Sequence, residues 1–437
     1  MFSMIKTVKG RTWRNWAHTC ESTPEKILHP SSIEEVSSIV KEASKQKRTI
    51  RVVGAGHSFT SLVKTDDWLV SLDSLSGIEQ IDEENSTVTV LGGTRLFQLG
   101  EALGRTGYAQ ENLGDINVQS IAGAISTGTH GTGLEFGNLS TQVMELSLVT
   151  ASGEILTISE KQNPHYFKAC LVSLGGLGII VKVKLKMIKS LVYEYKSEKV
   201  NYSQFEQQLD HYIAANRHFE FYLFPFSDIV QIKTMNVTDR KPQSLSFHHF
   251  NNLFIENYLF FILSEFCRLF PKSSRSISRL SAKAVGSTAI VANSYELFAT
   301  PRLVKFREIE YCIPLYHFKS ALQEIRQCIE AKQHQVHFPI ECRTVKADDI
   351  WLSPSYQRDS AYIAFHMYKG MPYEEYFQDM ESIMKKYEGR PHWGKMHNQS
   401  KEELLSLYPK LPAFLTIRNE LDPQGTFLNE YMKRLWM

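Results

Sequence analysis

The sequence predicts an α+β protein in two main parts, and three observations carry that prediction. Up to about residue 190, short β-branched runs alternate with apolar-faced helical stretches and Gly-rich turns. Past that point the Gly-rich turns vanish and aromatic residues rise. From 303 to 387 the pattern reads strand, helix (318–331), strand, strand, helix (373–387), which is an antiparallel sheet covered by helices.

Taken in order, Ser32-Ile-Glu-Glu35 has the form of a capping box. It opens a helix whose apolar side is Ile33, Val36, Ile39, Val40 and Ala43. The strand TIRVV follows and runs into the turn Gly54-Ala-Gly56; WLVSL and STVTV are two more strands. A helix from Thr94 to about Arg105 buries Leu96, Leu99 and Leu103. The stretch SIAGAISTGTHGTG (120–133) is almost wholly Gly, Ala, Ser and Thr. Such a run cannot fill a core by itself and suits backbone packed against a ligand. QVMELSLVTASGEILTIS is a hairpin turning at Ala151-Ser-Gly153. LGGLGIIVKVKLKMI gives a tight Gly turn and a strand with Val181, Val183, Leu185 and Met187 on one face.

Bulk composition removes several function classes. At 437 residues the chain is long enough for two or three domains. Lys plus Arg number 49 against 47 for Asp plus Glu, so there is no electrostatic case for a nucleic-acid partner. The cysteines Cys20, Cys170, Cys267, Cys312, Cys328 and Cys342 are scattered without C-x-x-C spacing, which suggests neither a zinc site nor a disulfide framework. No metal is expected. The N-terminal MFSMIKTVKGRTWRNW is too polar for a secretory signal. The most apolar stretch, 253–270, is broken by Glu256, Asn257, Glu265 and Arg268 and is too charged to span a membrane. It reads first as a cap helix and second as an interfacial one, so peripheral membrane contact stays open. A cytoplasmic location follows.

Two segments offer backbone N–H groups to phosphate oxygens. In Val52-Val-Gly-Ala-Gly-His-Ser58 a strand feeds a Gly turn. It is not the G-x-G-x-x-G dinucleotide fingerprint, because residue 59 is Phe. Alone it reads equally as a plain strand and turn, with His57 a polar turn residue. The second Gly-rich run at 120–133 shifts the balance toward a pyrophosphate-bearing ligand, and no G-K-[ST] exists to make a P-loop.

In the later part, HFPIECRTV places Ile340 and Cys342 on one strand face and Glu341 and Arg343 on the other. SAYIAFHMY places Ala364, His366 and Tyr368 opposite Ile363, Phe365 and Met367. If the strands pair with polar faces aligned, Glu, Arg and His converge. By themselves these residues read first as an ordinary solvent-exposed sheet face with a surface ion pair, and Lys395 in HWGK as a loop lysine.

Together, VGAGHS, NLGDINVQSIAGAISTGTHGTG, FREIEYCIP, ECRTVKADDIWLSPSYQRDSAYIAFHMY and RPHWGK resemble the sugar-1,4-lactone oxidases. That family includes gulonolactone and arabinonolactone oxidases, with the alditol (xylitol) oxidases as close relatives. The resemblance runs over 13–431 with its motifs in order; 190–300 carries little of it. It implies the vanillyl-alcohol-oxidase fold with a PCMH-type, two-lobed FAD-binding domain at 12–190. An α+β substrate domain over an antiparallel sheet at 191–387 and a C-terminal segment at 388–437, packing back on the FAD domain, complete it.

The resemblance also implies residue roles. His57 matches the histidine that bonds covalently to the flavin. Val52, Val53, Gly54, Ala55, Gly56 and Ser58 match a stretch that holds FAD. So do Ser120, Gly123, Ala124, Ile125 and Ser126, with Gly114, Asp115, Thr129, His130, Ile179 and His392 completing the cofactor set. Glu341 and Arg343 match the Glu-x-Arg substrate pair, Lys395 the lysine of HWGK, and His366 a histidine proposed as base; Asp115 joins the substrate set. The segment from Arg343 to His366 is one residue longer than in the alditol oxidases.

Oxidising an alcohol requires removing a hydroxyl proton and delivering a hydride to the flavin. A neutral imidazole can take the proton. A cation such as Arg343 or Lys395 stabilises the anionic reduced flavin. Gly114 matches a place where an alanine is thought to shield the flavin of a plant dehydrogenase from dioxygen; glycine leaves that space open, so an oxidase yielding hydrogen peroxide is expected. The first expectation is an aldonolactone substrate. The others are an alditol such as xylitol or sorbitol, a lactone dehydrogenase with another acceptor, and a flavin-binding protein without redox chemistry.

Overall fold

The computed structural model describes residues 5–243, 257–298 and 303–437. Three sheets position the site. The first is four-stranded in the order Lys6–Val8, Lys26–His29, Trp68–Ser71, Ile50–Val53, with the first pairing antiparallel and the other two parallel. The helix Ile33–Lys45 makes the crossover. Ser32 Oγ accepts from Glu35 N–H at 3.2 Å. The expected capping box is shifted by one residue: the Glu35 carboxylate takes the N–H of Ser31 at 2.7 Å. Val36, Ile39, Val40 and Ala43 are fully buried against this sheet, as their 3.6-residue spacing requires.

The second sheet is five-stranded and antiparallel: Ile155–Ser159, Val143–Val149, Ile179–Lys186, Thr87–Leu91, Ile78–Asp82. The hairpin turns where expected, with Gly153 at φ +78°. Val181, Val183, Leu185 and Met187 are all buried. The Gly-Ala-Ser-Thr run behaves differently from expectation. Residues Ile121–Ser126 form a short helix capped by Ser120, whose Oγ accepts from Gly123 N–H at 3.3 Å. That helix drops Ile121, Ala124 and Ile125 into the core, so the run contributes packing as well as a ligand-facing edge.

The third sheet has eight strands in the order Thr288–Asn293, Val192–Asn201, Ile229–Val237, His218–Leu223, Ile340–Val345, Ser360–Tyr368, Phe306–Pro314, Arg390–Pro391, and its pairings are antiparallel. Phe219, Phe221, Ile309, Tyr311, Ile340, Ile363 and Phe365 form one apolar face, covered by the helices Phe318–Lys332 and Glu374–Lys386. The opposite face is polar and is discussed below.

The last helices, Leu411–Leu421 and Glu430–Trp436, bury Phe414, Met432 and Trp436 in the same core as Val88, Leu99 and Val183. Arg51 Nε donates to Leu62 O at 2.7 Å and its Nη1 reaches Phe427 O, tying the first sheet to the chain end. Among the described residues no helix is long and apolar enough to cross a membrane. Of the stretch 253–270, residues 253–256 lie outside the described residues. The rest holds the helix Phe260–Leu269, which exposes Phe261, Ile262, Phe266 and Leu269.

Candidate active site and cofactor groove

A groove runs between the first two sheets. Its walls include Val52, Val53, Gly54, Ala55, Gly56, His57, Ser58, Ser120, Gly123, Ser126 and Ile179. The glycine-lined wall fits the pyrophosphate of a dinucleotide. The packing is close: a Cβ on Gly54 would stand 2.2 Å from Ser120 Oγ, so glycine lets the two Gly-rich segments meet. A Cβ on Gly178, at φ +153°, would stand 2.5 Å from Val149 O. Ala124 and Ile125, expected to hold the cofactor, point instead into the core, because the helix turns that side away from the groove.

His57 sits on the wall of this groove with its ring stacked on Trp16 at 5.5 Å and 20°. Its Nδ1 lies 3.2 Å from Ala55 O. Burial holds the imidazole below its ordinary range, so it is neutral near pH 7 and keeps a nucleophilic lone pair.

A second cavity adjoins the groove; Gln119 lines both. It brings together Gly114, Asp115, Thr129, His130, Glu341, Arg343, His366, His392 and Lys395 from segments far apart in the chain. The polar sheet face builds its floor. Register pairs Glu341 with Ala364 and Arg343 with Tyr362, so the polar faces do align. Glu308 pairs with His366, and Glu310 with Ala364.

Glu308 and Glu310 were not singled out from sequence, although both line this cavity. The signal was present: FREIEYCIP alternates, placing the two carboxylates on one face and Ile309, Tyr311 and Ile313 on the other. Glu220 was missed as well. It pairs with Arg343 across the neighbouring strand and accepts from Arg343 Nε at 2.9 Å.

The charges on this floor compensate one another. Arg343 is paired with Glu341 and Glu220. Lys395 Nζ stands 2.5 Å from Glu308 Oε2 and 3.8 Å from Glu310 Oε2. His130 Nε2 donates to Glu310 Oε1 at 3.1 Å, and His366 Nε2 is 3.5 Å from Glu308 Oε1. Burial pushes the Glu308 carboxyl up, but Lys395 and His366 outweigh it and hold it below the usual range. For Glu310, His130 and Lys395 outweigh burial by more. Burial pushes the Lys395 ammonium down, and Glu308 and Glu310 more than restore it. Burial takes His392 to about 4, so it is neutral.

The HWGK loop is carried by the edge of this sheet. After the bridge of Arg390–Pro391, His392 N donates to Glu310 O at 2.9 Å and Met396 N to Glu308 O at 3.0 Å. Phe59 N donates to Gly394 O at 2.7 Å, so the loop also grips the segment that bears His57. Ligand atoms of His130, Glu310 and His392 lie within 4.8 Å of one another. Hydrogen bonds already engage them: His130 Nδ1 contacts Gly131 O at 2.9 Å, and His392 Nδ1 accepts from Gly394 N at 3.0 Å.

At Gly114 the structure corrects the expectation of open space. A Cβ there would meet His130 O at 3.1 Å and Thr129 Cγ2 at 3.2 Å. The 129–130 backbone, rather than a void, lies behind this glycine.

A dinucleotide groove opening beside a cavity floored with paired carboxylates, cations and imidazoles defines an FAD-linked oxidoreductase acting on CH–OH groups. The model for an FAD binding domain matches residues 24–159, and that for D-arabinono-1,4-lactone oxidase matches 183–435. The chain is 37% identical over 426 residues to an L-gulono-1,4-lactone dehydrogenase of Mycobacterium tuberculosis, covering 97% of this chain and 98% of the relative. It is 34% identical over 448 residues to the L-gulonolactone oxidase of Mus musculus, covering 99% and 100%. The chain belongs to the D-arabinono-1,4-lactone oxidase family. Its fold matches the crystal structure of a cholesterol oxidase from B. sterolicum with a TM-score of 0.84 at 16% identity, over 100% of this chain and 98% of that one.

Proposed function

We propose that this flavoenzyme oxidises an aldono-1,4-lactone at the hydroxyl carbon next to the lactone carbonyl, with dioxygen as acceptor and hydrogen peroxide as product. The observation that carries the reading is the cavity floor: a bidentate-capable guanidinium, an ammonium and an imidazole converge beside the cofactor groove. Relatives named for gulonolactone and arabinonolactone support the substrate class over polyols.

FAD supplies the acceptor for the hydride that leaves the carbinol carbon. The rest is done by the chain. Arg343, held in place by Glu341 and Glu220, suits recognition of the lactone's oxygens, and Glu341 and Asp115 offer acceptors for its hydroxyls. Lys395 places a positive charge where negative charge develops on reduction. His366 is the candidate base. Its Nδ1 contacts Pro339 O at 3.2 Å, which can only accept, so Nδ1 carries the proton and Nε2 is left to take one. A covalent bond from His57 is favoured by its neutral ring on the groove wall.

By this reading residues 12–190 hold the cofactor, 191–387 cover the substrate, and 388–437 return to the first part while contributing Lys395. All six cysteines are free, which supports a reducing compartment such as the cytoplasm. The helix Phe260–Leu269, with its exposed apolar side, is followed by Lys272, Arg279 and Lys283, while Arg268 within it and Arg275 beyond it are paired with Glu265 and Glu330. This combination supports peripheral contact with an anionic membrane surface.

The deciding experiment is anaerobic mixing of holoenzyme with aldono-1,4-lactones and, separately, with xylitol and sorbitol. Bleaching of the yellow flavin by lactones, then recovery with peroxide on admitting air, is the expected result. Bleaching by polyols alone would move the substrate to the alditol class. Bleaching without recovery in air would make the protein a dehydrogenase.

A further inference from the structure

We propose that Glu308 is a positioning residue of the oxidation: one carboxylate holds Lys395 and faces the accepting nitrogen of His366, joining the two into one proton-handling unit. The inference rests on the reading that this cavity oxidises a hydroxyl group.

Glu308 is 4% exposed, and a carboxylate buried to that degree is stable only when paired. Its two oxygens serve two different elements. Oε2 takes Lys395 Nζ at 2.5 Å, from the C-terminal loop, and Oε1 faces His366 Nε2 at 3.5 Å, from the adjacent strand. Its backbone carbonyl accepts Met396 N–H at 3.0 Å, so side chain and main chain of one residue both fix the loop that carries Lys395. Glu310, two residues on, holds His130 and is 3.8 Å from Lys395. Among the described carboxylates Glu308 alone pairs with Lys395 and also faces His366 Nε2.

The charge balance gives this arrangement a consequence. Glu308 and Glu310 share one ammonium, so the three groups carry one excess negative charge. In the reaction the substrate O–H bond breaks and its proton goes to His366 Nε2. The C–H bond breaks with its electron pair, which leaves as hydride to the flavin, and C=O forms. The new N–H of His366 then donates to Glu308, and the excess charge is neutralised where the proton arrives. Glu308 thus stabilises the imidazolium only once it has formed, an interaction that lowers the barrier rather than tightening substrate binding.

The test compares wild type with Glu308→Gln, Glu308→Asp, His366→Asn and the Glu308→Gln/His366→Asn double variant. Single-turnover flavin reduction gives the rate. Calorimetric titration with a 2-deoxy-aldono-1,4-lactone, which lacks the reacting hydroxyl, gives binding without turnover, and thermal melting reports folding. Expected is a loss of about 100-fold in reduction rate for Glu308→Gln, with binding of the 2-deoxy lactone changed by less than about threefold. Glu308→Asp recovers part of the rate. The double variant is no slower than His366→Asn alone, because the two groups act as a unit. An unchanged rate in Glu308→Gln, or losses that simply add in the double variant, overturns the proposal. If the Gln variant melts early, Glu308→Asp decides the matter, since an unchanged reduction rate with the shortened carboxylate would also overturn the proposal. Failure of the substrate reading shows separately, as a wild-type flavin that no aldonolactone reduces; the same comparison is then run with xylitol.

Discussion

Arg343 and Glu220 meet across two adjacent strands, Nε donating to Oε2 at 2.9 Å, while the other side of the guanidinium is paired with Glu341. One planar cation thus balances two carboxylates that are almost out of solvent. Arg343→Met is expected to remove the cation both carboxylates share, leaving Glu220 with Lys233 at 3.7 Å, and to cost up to about 3 kcal/mol of stability, read from urea unfolding. Arg343→Lys, with a point charge in place of a fork, should fold but bind lactone more weakly.

His57 decides whether the flavin is covalent. Acid-denatured wild type should keep its flavin fluorescence on the polypeptide, and His57→Ala should release it to the supernatant. Release from the wild type would leave FAD binding intact and remove the covalent bond.

Gly114 tests the acceptor. Adding a methyl by Gly114→Ala presses on His130 O and Thr129 Cγ2, at 3.1 and 3.2 Å. Reoxidation of the reduced flavin by dioxygen should slow at least about tenfold, or about 1.4 kcal/mol, with anaerobic reduction by lactone little changed. Equal slowing of both steps would mean that the methyl merely distorts the cavity.

Acid should destabilise the fold in a defined window. Burial takes His218, His337, His392 and His397 each to about 4 from 6.5. Their folded values are depressed, so below pH 6.5 the unfolded chain binds more protons than the folded one. Stability contributed by these neutral rings is therefore full above about 6.5 and falls as pH drops toward 4, by up to about 1.4 kcal/mol per unit per histidine. Melting temperatures measured from pH 7.5 to 4.5 should decline; a flat profile would show that these rings are not neutral and buried as described.

The exposed side of Phe260–Leu269 predicts co-sedimentation with phosphatidylserine-containing vesicles. Leu269→Asp should weaken it by inserting a charge into the apolar face, and high salt should weaken it by screening the basic residues. Equal sedimentation with neutral vesicles would assign the binding to the apolar face alone, and none with either would remove the membrane reading.

Much of this was legible in the sequence because it depends on local rules. Helical spacing put Val36, Ile39 and Val40 inside, and strand alternation put Glu341 and Arg343 opposite Ile340 and Cys342. The Gly turn at 54–56 marked a wall of the groove. The tertiary structure decided what local periodicity cannot: register and the meeting of distant segments. Alternation placed Glu308 and Glu310 on one face, but not which strand would lie beside them or that Lys395 would come to rest between them. Whether a carboxylate belongs to a solvated face or a buried floor depends on what covers it, and here the cover comes from the HWGK loop and the FAD-binding half of the chain. The same limit explains Ala124 and Ile125. A small-residue run looked as if made for a ligand on all sides, but once coiled into a helix it has two sides, and the core claimed one of them.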